Sequence, residues 1–355
     1  MKKGCPYGTH RVISPKGVLP QPADVVDNTM EIYDNEVLID VKTLNIDSAS
    51  FTEIVRRACD GKMPHDIDGS VEDMKKVEEM MLSIVEKAGK HKNPWTGSGG
   101  MLIGTVKEIG PAYEGDLKVG DKIATLVSLS LTPLVIEEII EMRPSIDQVD
   151  IKGQAILFQS GLYAILPDDL PEGLALSALD VAGAPAQVAK LAKSGQTVMV
   201  VGGGGKSGML CCYEAKKRVG VTGKVICAEG SPKALERVQK LGIADECILI
   251  DATDAVGVYN KVMEITDGKL CDVVINVVNI ENTEMSCIMA TKDEGVVYFF
   301  SMATSFTKAA LGAEGVGKDI DMIVGNGYTK GHAEITLQCL REHEGLRKLF
   351  EELYA

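Results

Sequence analysis

The hydrophobic pattern of the chain differs before and after about residue 150, and a domain boundary is expected at 175. Before it, residues 36–43 (EVLIDVKT) alternate polar and apolar, the period of an antiparallel strand with one wet face. Residues 100–109 predict a second such strand, and residues 121–129 a third after the turn-like Lys118-Val119-Gly120-Asp121. Ile151, Lys152 and Gly153 open a further short element, and residues 155–160 are apolar. Between the first strands, residues 70–87 have the spacing of an amphipathic helix, with Ser70 as its cap and Asp73 in its first turn. That helix reads either as an insertion or lid beside a pocket, or as a plain surface helix. Residues 1–175 as a whole predict a compact β-rich domain.

After residue 175 short apolar runs alternate with helical periods. Strands are predicted at 196–201, 224–228, 247–251, 272–278, 295–301 and 321–325, and helices at 178–192, 232–241, 256–266 and 283–291. The helix at 232–241 carries its own start signal, Ser231 as cap and Pro232 at the first position. One long closing helix is predicted from 331 to 353. This order predicts a doubly wound, mostly parallel α/β sheet over 176–330, closed by 331–355. Asn276, Ser301 and Met302 fall at strand ends, the rim on which such sheets bind ligands.

The chemistry concentrates at residues 196–208, QTVMVVGGGGKSG. A buried-strand pattern runs into clustered glycines and then into a helical stretch. That is what a dinucleotide needs, a turn too tight for side chains and a pyrophosphate against the first free amides of a helix. Gly203, Gly205 and Gly208 fit G-x-G-x-x-G, and Gly202, Gly205 and Gly208 fit the shifted spacing equally well; Lys206 and Ser207 complete the turn. A nucleoside triphosphate loop, the rival reading of Gly205-Lys206-Ser207, is disfavoured because the glycine it requires is Val200 here. Glu229 ends the next apolar run, about twenty residues beyond Gly208, where such units place the acid that accepts from the adenosine ribose. A carboxylate there repels a 2′-phosphate, so NAD is expected, with NADP second because Lys233 and Arg237 lie close by.

Composition narrows the class further. The 355 residues carry a formal net charge of −14, which with no basic, aromatic-interleaved stripe excludes nucleic acid as a partner. Mean hydropathy is +0.07, and no apolar run reaches membrane-spanning length. Nine cysteines show neither metal-cluster spacing nor a disulfide framework, so a cytoplasmic, reducing location is expected.

Three segments, EVLIDVKTLNID, GTVKEIGPAYEGDLKVGDKIATLV and VMVVGGGGKSG, together resemble the medium-chain dehydrogenase/reductase superfamily, from about Glu36 to the end. The resemblance implies a GroES-like catalytic domain before the dinucleotide-binding domain, and a homodimer paired through the edge of the cofactor sheet. The amino-terminal GCPYGTHRVISPKGVLPQPAD and the helix at 70–87 are atypical of the superfamily at large. They resemble a narrower branch of amine dehydrogenases from anaerobic lysine fermentation. That branch implies oxidation by NAD of the C3 amine of 3,5-diaminohexanoate, with ammonia and 5-amino-3-oxohexanoate as products.

Where zinc-dependent members of the superfamily carry metal ligands, this chain has Asp47, Gly100-Met101 and Val181, and the four-cysteine structural lobe is missing. A zinc-free enzyme is therefore expected, since three protein ligands are the minimum. The resemblance makes Asp47 the expected base, with Ser48 and Ser50 beside it and His65 as a proton shuttle. Glu53 and Asp180 are candidates to meet the substrate's remote ammonium. Arg143, Lys152, Arg56 and Arg57 are candidates for its carboxylate. Two other readings stand beside this one: a zinc-free quinone or enoyl reductase using NADPH, which Glu229 opposes, and a non-catalytic NAD-binding sensor, which Asp47 opposes.

Overall fold

The structure, a computed structural model, describes residues 1–325 and 327–354; Ala355, the last residue of the predicted closing segment, lies outside them. It divides into two compact units, Met1–Pro167 and Asp168–Ala355, so the boundary falls before the 175 expected from pattern.

The first unit opens with a small antiparallel pair, β1 (Val12–Ser14) and β2 (Val25–Val26). It continues through β3 (Val37–Asn45), α1 (Ser48–Ala58), α2 (Val71–Ala88), β4 (Met101–Ile109), β5 (Lys122–Thr125), β6 (Leu134–Arg143), β7 (Gln148–Leu157) and β8 (Tyr163–Ile165). The last six strands in this unit's main sheet lie in the order β6-β7-β3-β4-β5-β8, antiparallel throughout. The central strand β3 follows the alternation of its sequence, with Val37, Ile39 and Val41 buried and Asp40 and Lys42 exposed.

Three expectations are corrected here. β5 is shorter than predicted, and the two pieces read at 151–153 and 155–160 belong to one ten-residue strand, β7. β6 escaped notice because Ile136, Ile139 and Ile140 repeat at helical spacing; it is an edge strand, and pairing with β7 fixes what its own pattern does not. Asp47, Ser48 and Ser50 stand at the start of helix α1. Finally, α2 is a surface helix, with Glu72, Lys75, Glu79 and Glu86 exposed, whose inner face of Val77, Met81, Ile84 and Val85 joins Phe51, Ile54 and Val55 of α1 in the core that covers the sheet. Ser70 caps α2 as expected, accepting from the Asp73 amide.

The second unit runs α3 (Glu172–Leu179), α4 (Gly183–Leu191), β9 (Thr197–Val201), α5 (Lys206–Val219), β10 (Lys224–Glu229), α6 (Pro232–Leu241), β11 (Glu246–Leu249), α7 (Ala255–Ile265), β12 (Cys271–Asn276), α8 (Glu284–Ala290), β13 (Thr291–Phe299), α9 (Phe306–Val316), β14 (Ile320–Val324), α10 (His332–Glu342) and α11 (Glu344–Tyr354). Its six strands are parallel in the order β11-β10-β9-β12-β13-β14. The chain starts at β9 in the middle, builds outward to β11, then crosses back to β12. The reversal leaves a crevice beyond the carboxyl ends of β9 and β12, the place where such sheets take ligands.

Here the helix read at 178–192 is two, turned at Val181-Ala182, and α9 was not foreseen. The closing helix is also broken, because the His343 ring accepts from the Leu346 amide at 2.9 Å and so starts α11 afresh. His332 opens α10 as a structural residue, and burial holds its imidazole below the usual range.

Candidate active site and cofactor loop

β9 ends at Val201 and the chain turns at once through Gly202, whose φ of +85° suits only glycine and whose added Cβ would lie 2.8 Å from Val278. Gly208 is equally constrained, since a Cβ there would meet the Gly202 carbonyl at 2.1 Å. Gly203 backs onto the Cys227 thiol, 2.5 Å from an ideal Cβ. Gly205 differs. As the N-cap of α5, it has no neighbour nearer than 3.6 Å to a Cβ, so a side chain there would fill the open cradle in front of the helix. Behind that cradle stand the amides of Lys206, Ser207 and Gly208, which the first turn of a helix leaves without intrahelical acceptors. The loop therefore fits a dinucleotide pyrophosphate.

Glu229 closes β10 beside this loop. Its carboxylate accepts from Gly204 N at 2.9 Å through Oε2, and from Gly230 N and Ser231 N through Oε1. It thus fixes the loop and retains acceptor capacity on Oε2 for a ribose hydroxyl. Two other rim residues play different parts from those expected. Asn276 is buried, and its side chain bonds Thr283 and the Val278 amide, so it shapes the loop after β12 and presents no free group to a ligand. Ser301 donates its backbone amide to the Asn276 carbonyl, and Met302 stands exposed beyond it; both line an apolar cavity with Phe299, Phe306 and Val324. Lys206 reaches Asp180 at 2.5 Å, so the two proposed site residues pair with each other within the cofactor unit.

In the first unit, Asp47 is the exposed N-cap residue of α1. Its Oδ2 accepts from Gly99 N at 3.1 Å, and its Oδ1 has no hydrogen-bond partner among the described residues. Ser48, in the first turn of α1, bonds Asp147. Ser50 is buried, and its hydroxyl meets Thr96 Oγ1 at 2.6 Å and Ser98 Oγ at 2.5 Å. The segment 91–100 is thereby folded onto α1, with Asn93 Nδ2 donating to the Ser50 carbonyl at 3.0 Å. Sequence reasoning missed this segment, although its single tryptophan among turn residues, NPWTGSGG, was a visible signal. At its base His91 is fully buried, and burial pushes its imidazole down to about 4, so it stays neutral.

Other candidates are committed elsewhere. His65 is on a surface turn, 74% exposed and 3.5 Å from Asp66. Arg143 is locked by Asp150 at 2.7 Å and by Glu141, tying β6 to β7. Lys152 pairs with Glu137, and Glu53 with Arg57 at 2.6 Å.

The residues do not fit a zinc site. Gly100 has φ +105° and an added Cβ would sit 2.1 Å from the Asn45 carbonyl, so the backbone forbids a ligand side chain there. Among the described residues no group of three or more His, Cys, Asp or Glu comes together.

A β-rich unit followed by a parallel six-stranded sheet with this glycine loop defines a medium-chain dehydrogenase/reductase. The similarity to solved structures agrees at the level of fold: a mycobacterial quinone oxidoreductase gives a TM-score of 0.53 at 16% identity, over 95% of this chain and 87% of that one. An alcohol dehydrogenase from Thermotoga maritima gives 0.53 at 15% identity, over 92% and 89%. Residues 10–167 match the L-erythro-3,5-diaminohexanoate dehydrogenase N-terminal domain, and residues 207–321 match the family described as zinc-binding dehydrogenase. The L-erythro-3,5-diaminohexanoate dehydrogenase of Acetoanaerobium sticklandii is 60% identical over 354 residues, 99% of each chain. That of Fusobacterium nucleatum subsp. nucleatum is 60% identical over 356 residues, covering both chains fully. The chain belongs to the L-erythro-3,5-diaminohexanoate dehydrogenase family.

Proposed function

We propose that the protein oxidises L-erythro-3,5-diaminohexanoate at C3 with NAD, giving 5-amino-3-oxohexanoate, NADH and ammonia. The observation that carries this reading is the 60% identity to two L-erythro-3,5-diaminohexanoate dehydrogenases over the whole chain. Asp47 supports it as an exposed carboxylate at the N-terminus of α1 that accepts from the Gly99 amide, next to Gly100, whose backbone leaves no room for a ligand side chain. An amine needs no Lewis acid. It needs to lose a proton so that its lone pair can assist hydride departure, and the resulting iminium is electrophilic enough for water. Bound NAD supplies the hydride acceptor. Asp47 takes the proton from the C3 ammonium, releases it to solvent, and then accepts the proton of the water that attacks C3, before ammonia leaves. Gly205 would leave room for the pyrophosphate at the amides of α5, and Glu229 would accept from the ribose hydroxyls. Ammonia and NADH formed together from 3,5-diaminohexanoate, by protein dialysed against EDTA, test the reaction; no turnover with either cofactor overturns it.

Glu229→Ser is expected to weaken NAD binding by about 10- to 100-fold, the worth of hydrogen bonds to a charged group, while narrowing the preference over NADP. Cofactor titrations of the variant check this, and unchanged NAD affinity would remove Glu229 from the ribose site.

The protein is further proposed to be a cytoplasmic homodimer. The described cysteines are all free thiols, and no helix of the described residues is long and apolar enough to cross a membrane. β14 is a sheet edge, with Val324, Phe306 and Leu311 exposed on and beside it. Light scattering on the purified protein tests the dimer.

A further inference from the structure

We infer that Arg57 is the receptor for the C1 carboxylate of the substrate, held in readiness on the face of Trp95; this rests on the reaction proposed above. Asp47, Ser50, Glu53 and Arg57 recur at three- and four-residue spacing and so share one face of α1. The segment 91–100 is fastened over that face by the Ser50 hydroxyl and by Asn93, whose Oδ1 also accepts from the Trp95 amide at 2.8 Å. Trp95 is thereby set against Arg57, with the guanidinium carbon 4.3 Å from the ring centroid. Glu53 takes the remaining inner donor, Nε, at 2.6 Å.

The Trp95 ring supports the guanidinium from one side and Glu53 holds its Nε, while both terminal nitrogens have no partner among the described residues. A planar fork with its outer donors open is matched to a carboxylate, and holding it beforehand lowers the ordering penalty on binding. The rival cations do not offer this. Both terminal nitrogens of Arg143 are already taken by Glu141, Asp150 and Gln148, Lys152 has no planar fork, and no described residue orients Arg56. The arrangement makes the enzyme selective for 3-amino acids over simple amines.

The test compares wild type with Arg57→Gln, using 3,5-diaminohexanoate as substrate and 2,4-diaminopentane, the same skeleton without the carboxylate, as competing ligand. Arg57→Gln is expected to raise KM about 10- to 100-fold with kcat within a few-fold, and to leave the inhibition constant of 2,4-diaminopentane unchanged. Trp95 is the only tryptophan of the chain, so its emission should also respond to 3-aminobutanoate in wild type and not in Arg57→Gln. An unchanged KM, or an equal loss of affinity for both compounds, overturns the clamp while the reaction stands. A wild-type protein inert toward 3,5-diaminohexanoate overturns the reaction itself, and the clamp with it.

Discussion

Asp47→Asn lowers kcat by about 10²- to 10⁴-fold and leaves NAD affinity unchanged, the range a positioned general base contributes. The substitution separates two roles that alanine would confuse. An asparagine carbonyl can still accept from Gly99 N, so the turn between β3 and α1 and the hydroxyl contacts of Ser50 are retained. What is lost is the ability to take a proton. Because the proton comes from an ammonium, the deficit should narrow as pH rises and solution supplies the neutral amine directly. Steady-state kinetics across the alkaline range, with cofactor titrations alongside, check both parts. A variant retaining kcat within a few-fold at neutral pH would reduce Asp47 to a helix cap that holds Gly99.

The cofactor half of the molecule was legible because its chemistry is local. A strand buried on both faces reads as a continuous apolar run, a glycine turn must follow it within a few residues, and Ser231-Pro232 announces its helix without outside help. The catalytic half was less legible, for the opposite reason. Arg57 and Trp95 meet only because Ser50 and Asn93 fold a distant segment onto α1, and no periodicity records that contact. Asp180 looked free until Lys206 was found beside it, and Arg143 until Asp150 and Glu141 were. Charges are the residues whose meaning depends most on partners far away in sequence. Edge elements failed similarly: β6 has a helix-like pattern and takes its conformation from β7. The zinc question was the exception. The sequence showed glycine at position 100, and the backbone supplies the reason that no ligand can stand there.

The amino-terminal segment that sets this family apart is held by one buried group, and breaking it should destabilise the first unit by about 3–5 kcal/mol. Arg11 is fully buried and uses all five of its donors. Nε and Nη2 form a fork on Glu36 at 2.7 and 2.6 Å, and the rest reach the carbonyls of Asp27, Thr29 and Glu31. His10 adds to Glu36 from the other side: its Nδ1 accepts from Cys5 N, so the proton is on Nε2, which donates at 2.8 Å. Burial alone would raise the Glu36 carboxyl, but the bonds from Arg11 and His10 outweigh it and hold it at about 2. A depressed carboxyl contributes stability that is complete above its unfolded value of about 4.3 and is lost as pH falls through about 2. Glu36→Gln removes that acid dependence and leaves the Arg11 charge buried without a counterion, the costly half of a broken pair. Arg11→Met with Glu36→Leu should recover part of the loss, because no charge then stays buried, although three carbonyls lose their donor and the Tyr33 amide and His10 Nε2 lose their acceptor. Hydrogen exchange at β1 and β2, together with denaturant unfolding at neutral and acid pH, separates these cases. Wild-type exchange in Glu36→Gln would mean that the carbonyls alone hold the segment.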